Sequence, residues 1–237
     1  MAESGLRRVV ANYLRVIPPQ VQILSLPPER RLRPWDATSE MRMKEFVISD
    51  MHLNHGNIIM YCKRPWLQDG DVVDEPGKRP RWVSDEVKKA RTEDMNRALV
   101  ASWNGVVRPE DTVRHLGDFC FGAGDGKDAV YWESRLNGKI VHIKGNHDRS
   151  RQIKGMVMSA VMKAGGRELM LQHRPVERAV EVPDFCDAVL CGHVHDAWDH
   201  KWVDGVLCVN MSVEVRGYEP VPLDEVIGEV DRLLRMK

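Results

Sequence analysis

Five times between Glu45 and His195 a short apolar run stops on a carboxylate, imidazole or amide. Glu45–Ser49 runs into Asp50-Met51-His52, Thr112–His115 into Leu116-Gly117-Asp118, and Ile140–Lys144 into Gly145-Asn146-His147-Asp148. Glu168–Gln172 ends at His173, and Ala188–Cys191 at Gly192-His193-Val194-His195. Each run has the Val, Ile, Leu or Phe content of a strand, as does a sixth, Val206–Val209. A polar cluster just past a strand sits at the carboxyl edge of a sheet. The five clusters therefore ask for a fold that gathers several strand ends at one edge.

Helical stretches lie between these runs. Val87, Ala90, Met95, Ala98, Leu99 and Trp103 form a stripe over Ser84–Trp103, and Asp128–Leu136 is closed by Asn137-Gly138. Val226, Ile227, Val230 and Leu233 mark one face of Leu223–Leu234. Strands alternating with helices predict an α/β chain with helices layered on a sheet or sheet pair. The span from Trp66 to Ser84, dense in Asp, Gly, Pro and basic residues, reads as a loop and a candidate lid next to the first polar cluster.

The chain divides into an extension, 1–43, and a domain, 44–237. In the extension Leu6, Val9, Val10, Tyr13, Leu14 and Ile17 form an amphipathic stripe ended by Pro18-Pro19, and a Pro- and Arg-rich linker follows. Such a helix suits docking onto the domain itself, a partner or a membrane surface. Met41 and Met43 are alternative starts.

The formal net charge of zero leaves no global field to attract nucleic acid or anionic membranes. Five cysteines without a CxxC pair or a secretory signal argue against a disulfide framework and fit the cytoplasm. No apolar stretch reaches the roughly 18–20 residues of a membrane span. Oligomeric state is not encoded in these features.

The chemistry lies in the clusters. Carboxylate, imidazole and amide oxygen suit Mn, Fe, Zn, Ni or Mg. Asp50 and His52, two apart at a strand end, can grip one ion, and Gly192-His193-Val194-His195 presents two imidazoles on an extended chain. Asp118 can bridge two ions. A pair about 3.5–4 Å apart lowers the pKa of a shared water and clamps both oxygens of an in-line displacement at phosphorus.

In order and composition these motifs resemble the calcineurin-like metallophosphoesterases, whose signature runs Asp-x-His, Gly-Asp, Gly-Asn-His-Asp or Glu, His, and Gly-His-x-His. Small bacterial and phage-type members are also similar at Asn57-Ile58-Ile59, Arg64-Pro65, Trp103-Asn104, His115 to Phe119 and Asn210 to Asp224, so the likeness spans about residues 44 to 234. The resemblance implies a four-layer α/β/β/α sandwich with two divalent ions at the strand ends. It implies Asp50, His52, Asp118 and His195 on one ion, and Asp118, Asn146, His173 and His193 on the other. His147 looks like the catalytic residue that meets the phosphoryl group and protonates the leaving oxygen, with Asp148 orienting it.

One departure bears on substrate. Where protein phosphatases of the superfamily continue Gly-Asp with Asp-Arg, this chain reads Phe119-Cys120-Phe121-Gly122. Arg64, Lys144, Arg149 and Arg174 remain as cations for phosphate oxygens. The resulting expectation is a manganese-type dinuclear phosphodiesterase acting through metal-activated hydroxide on a phosphate ester, small or nucleotide-type. The alternatives are a phosphomonoesterase of the same family and a metal-holding scaffold without turnover.

Overall fold

The computed structural model describes residues 43–122, 126–148, 153 and 155–237, so the extension up to residue 42 and Arg149 lie outside the described residues. The chain opens with β1 (Glu45–Ile48) and α1 (Gly56–Tyr61), then a two-stranded hairpin of β2 (Val72–Val73) and β3 (Arg81–Trp82). There follow α2 (Asp85–Val106), β4 (Thr112–His115), α3 (Ala129–Glu133) and β5 (Lys139–His142). The second half adds β6 (Ser159–Ala164), β7 (Arg167–Gln172), β8 (Ala188–Cys191), β9 (His200–Val203), β10 (Val206–Asn210), β11 (Val221–Pro222) and α4 (Leu223–Arg235).

Two sheets result. The first has the order β11-β1-β4-β5, with β1, β4 and β5 parallel and β11 antiparallel at the edge. In the second, β6-β7-β8-β10-β9, the central β7, β8 and β10 are parallel and the edge strands antiparallel. All five polar clusters follow parallel strands, so each sheet presents its clusters at its carboxyl edge. The sheets also join there: Ser49 donates its N–H to Met211 and accepts from Val213 just beyond β1 and β10.

Alternation along the strands sorts the core into layers. Phe46 and Ile48 face the helices, against Met95, Leu99 and Trp103 of α2, while Val47 points between the sheets. The three α2 residues are fully buried, and removing each such side chain from water contributes roughly 1.5–3 kcal/mol. Ser84 caps α2 by accepting from Val87 N–H, and Trp103 donates to the Asn137 carbonyl, tying the helix to the turn before β5. Between the sheets Val47, Leu116 and Ile143 meet Leu169, Leu171, Leu190 and Val209, joined by Val226, Val230 and Leu233 of α4. On the outer face of the second sheet Val189, Cys191 and Cys208 pack against Val176 and Val182. Among the described residues that face is covered by a segment with one 3-10 turn, Ala179–Glu181, rather than by an α-helix.

The 66–84 stretch is not a free loop. Asp71 accepts from Arg91 and from Gln68 N–H, and Trp66 and Trp82 are buried in the helix-side core. Two further expectations were too coarse. Ala90 is exposed while Thr92 and Asn96 turn inward, where Asn96 accepts from the Asn54 N–H. Strands β6, β9 and β11 and helix α1 carry no pattern strong enough to announce them. No helix among the described residues is long and apolar enough to cross a membrane.

Candidate metal centre

Beyond β1 the chain leaves extended geometry. Asp50, His52, Asp118, His193 and His195 all have positive φ, between 48° and 72°. Each such non-glycine residue costs on the order of 1–3 kcal/mol and persists only where its surroundings enforce it. The expectation that Asp50 and His52 share a side because a strand alternates is thus replaced by left-handed turns. The same holds for Gly192-His193-Val194-His195, whose two imidazoles go to different groups.

The first group is Asp50, His52 and His195, whose ligand atoms lie within 4.8 Å of one another. Asp50 Oδ2 accepts from His193 N–H and Ser212 Oγ, both at 2.9 Å, but its Oδ1 is buried without a partner. His52 Nε2 is likewise buried and unpaired, 3.9 Å from that Oδ1. Burial, with Arg64 and His55 adding like charge, holds the His52 pKa well below its ordinary value. Neutral imidazole is the form a metal requires.

The second group is Asp118, His173 and His193. His173 Nδ1 lies 3.0 Å from the Leu116 carbonyl, which can only accept, so the ring proton belongs on Nδ1. Its Nε2 then faces two more acceptors, Asp118 Oδ2 at 3.3 Å and Asn146 Oδ1 at 3.0 Å. Three lone pairs cannot converge without a proton or a cation between them. Burial opposes protonation of His173, yet the Asp118 hydrogen bond and the nearby carboxylates win and raise its pKa. Asp118 Oδ2 is also 3.5 Å from His52 Nε2, so one oxygen faces both groups. Orphaned atoms, a converging acceptor set and O/N donors fit divalent cations here.

The neighbouring residues are spent on holding these side chains. Arg64 is 1% exposed; it pairs with Glu214 and donates to the carbonyls of Asp50 and Met51. It is therefore unavailable as the phosphate-binding cation expected from the sequence. Glu214 Oε1 sits 3.0 Å from His195 Nδ1. Burial works against a charge on His195, but hydrogen bonds to Cys62 and Glu214 push its pKa up to about 10. Cys62, His195 and Glu214 themselves form a third close group.

Asp148 also departs from expectation. Its carboxylate accepts the backbone N–H groups of Asp118, Phe119 and Gly145 at 2.8–2.9 Å. With those bonds it fixes the loops of Asp118 and Asn146, a role beyond the His147 orientation expected of it. A Cβ at Gly145 would overlap the Asp118 carboxylate, and one at Gly192 would overlap Ser49 Oγ and Asp50 Oδ2. Glycine before the ligands is thus a requirement of close approach.

His147 is exposed, its N–H bonded to Asp118 Oδ1 at 2.8 Å and its ring 5.3 Å from that of His52. Beside it stands His55, which the sequence reading overlooked; it stacks on Phe121 at 4.6 Å and 15°. The only signal for His55 was its place three residues after His52. Phe121 occupies the stretch where the Asp-Arg pair is missing, so an aromatic wall lines that side. Arg174 is exposed next to His173, and Lys144 is half-buried.

The calcineurin-like phosphoesterase superfamily domain matches residues 91–213, which include Asp118, Asn146, His173, His193 and His195. The chain belongs to the calcineurin-like phosphoesterase superfamily. As a member it is a metal-dependent phosphoesterase. It is 31% identical over 192 residues to the uncharacterized protein MJ1445 of Methanocaldococcus jannaschii, covering 80% of this chain and 92% of that protein. The Gene 66 protein of Mycobacterium phage L5 is 30% identical over 118 residues, 47% of this chain and 56% of that protein. Among solved structures, the protein of unknown function AQ665 from Aquifex aeolicus superposes with a TM-score of 0.54 at 22% identity, over 79% of this chain and 99% of that one. At that identity the likeness speaks to fold.

Proposed function

We propose that this phosphoesterase hydrolyses phosphodiesters at a dinuclear site. Asp50, His52, Asp118 and His195 would hold one divalent ion, and Asp118, Asn146, His173 and His193 the other. The observation that carries this reading is the position of Asp118 Oδ2, 3.5 Å from His52 Nε2 and 3.3 Å from His173 Nε2. When bound, such ions supply an acidified water and neutralise phosphoryl charge. The donor set suits manganese, iron, zinc or nickel.

The residues do the rest. The Asp148 carboxylate keeps the Asp118 and Asn146 loops in register, and the Arg64–Glu214 pair aims His195. His147, pinned through its N–H to Asp118, is the group at the open face that gives a proton to the leaving oxygen. His55 and Phe121 wall that face. Residues 44–237 form the catalytic unit, with 1–43 appended.

A diester is favoured because Arg64 is committed to Glu214 and no Asp-Arg pair follows Asp118. A phosphate monoester dianion depends more on a bidentate guanidinium than a singly charged diester does. Comparing kcat/KM for bis(p-nitrophenyl) phosphate and p-nitrophenyl phosphate with Mn²⁺ tests this. A higher value for the diester is expected. A monoester preference of about tenfold, equal to about 1.4 kcal/mol, would put the phosphomonoesterase first, and no turnover of either with any divalent metal would leave a scaffold.

A further inference from the structure

A cavity of about 610 Å³ opens on the outer face of the second sheet, and His193 is part of its wall. Arg174, Val176, Trp198, Lys201 and Asp204 line it as well. Because His193 belongs to the second ligand group, a molecule filling the cavity lies directly beside that group. Its size lies within the roughly 300–1,000 Å³ of small-molecule sites.

The lining has a consistent chemistry. Val176 is buried, and Trp198 packs half-buried against the same apolar cluster. Trp198 is also held in place: the buried Asn210 amide donates to the carbonyls of both His195 and Trp198, each at 2.7 Å. The Trp198 main chain and the ligand loop therefore share one anchor. The rim is mixed, with Arg174 and Lys201 against Asp204 and Glu177. Among the described residues neither Arg174 nor Lys201 forms an ion pair, so both cations remain available to a ligand. An acyl chain has no use for such a rim, whereas a flat heterocycle bearing a sugar can use both its floor and its charges.

We propose that this cavity is the ester-group subsite, taking the nucleoside of a nucleotide-type diester with its base on the Trp198 indole. The proposal rests on the phosphodiesterase reading and adds the substrate class to it.

Two esters with the same leaving group isolate the subsite: p-nitrophenyl thymidine 5′-phosphate and methyl p-nitrophenyl phosphate. The wild-type protein should prefer the thymidine ester at least tenfold. Trp198→Ala should lower kcat/KM for it about tenfold more than for the methyl ester, in keeping with the worth of one base–aromatic stack. Trp198→Phe should recover most of the difference, which a general loss of packing would not allow. Calorimetric binding of thymidine 5′-phosphate to the full chain gives a readout independent of turnover, and Trp198→Ala and Arg174→Gln should each weaken it. Equal losses on both esters, or unchanged nucleotide binding in Trp198→Ala, would overturn the subsite. If neither diester is hydrolysed while nucleotide binding still depends on Trp198, the phosphodiesterase reading fails and the nucleoside site stands.

Discussion

Arg64 and Glu214 form a buried ion pair, Nη2 to Oε1 at 2.7 Å, directly behind the His195 imidazole. The same guanidinium donates to the backbone carbonyls of Asp50 and Met51. One pair thus joins the loop after β1 to the loop after β8. Residues 150 positions apart in sequence set the separation of the first ligand group.

Breaking this pair should act on stability and on metal in different proportions. Arg64→Met leaves the buried Glu214 with His195 as its remaining ionic partner, and removing one partner of a buried ion pair costs up to about 3–5 kcal/mol. Glu214→Gln keeps the volume but gives His195 a poorer orienting partner, which typically weakens metal binding 10–100-fold. Chemical denaturation and metal titration of the two variants separate the effects. Wild-type metal affinity in Glu214→Gln would remove its orienting role.

Asp118→Asn should release metal and abolish turnover, because a poorly coordinating amide nitrogen replaces one oxygen of the carboxylate that faces both groups. Elemental analysis alongside activity checks this. Normal metal content with normal turnover would take Asp118 out of the bridge.

His147→Ala should keep its metal and lose about 10²–10⁴ in rate, the usual contribution of a positioned acid. The loss should shrink for p-nitrophenolate, which needs less protonation on leaving. Metal loss in this variant would make His147 a ligand.

A fourth expectation concerns acid stability. His142 is buried against Phe119, with Nε2 2.9 Å from Glu133, and burial lowers its pKa to about 4. Its folded pKa is below the unfolded value of 6.5, so the unfolded chain binds the proton first. The stabilisation is complete above 6.5 and is lost as pH falls from 6.5 towards 4, by roughly 3 kcal/mol at about 1.4 kcal/mol per pH unit. His142→Phe should flatten the unfolding free energy across that window; an equally steep fall would assign it to other groups.

How much of this was legible in sequence depended on whether local chemistry carried the signal. The strands before the clusters were visible because each is a short apolar run ended by polar residues, and Ala188–Cys191 has the bounds expected of it. Helix α2 was visible through its stripe, although Thr92 and Asn96 face inward because their polar atoms find the Lys88 and Asn54 backbones. The roles of Arg64, Glu214 and Asp148 were hidden. They act through hydrogen bonds to distant backbone, which no periodicity records. The left-handed turns at Asp50 and His193 were hidden too, since the modest preference of Asp and His for positive φ does not mark which of them adopt it.

Metal stoichiometry measured together with turnover tests the central claim most directly. The full chain, stripped of metal, is titrated with Mn²⁺ while binding and hydrolysis of bis(p-nitrophenyl) phosphate are followed in the same sample. The shared Asp118 oxygen predicts two ions per chain, with activity rising mainly on the second equivalent. Full activity at one equivalent, with no second ion bound, would contradict it.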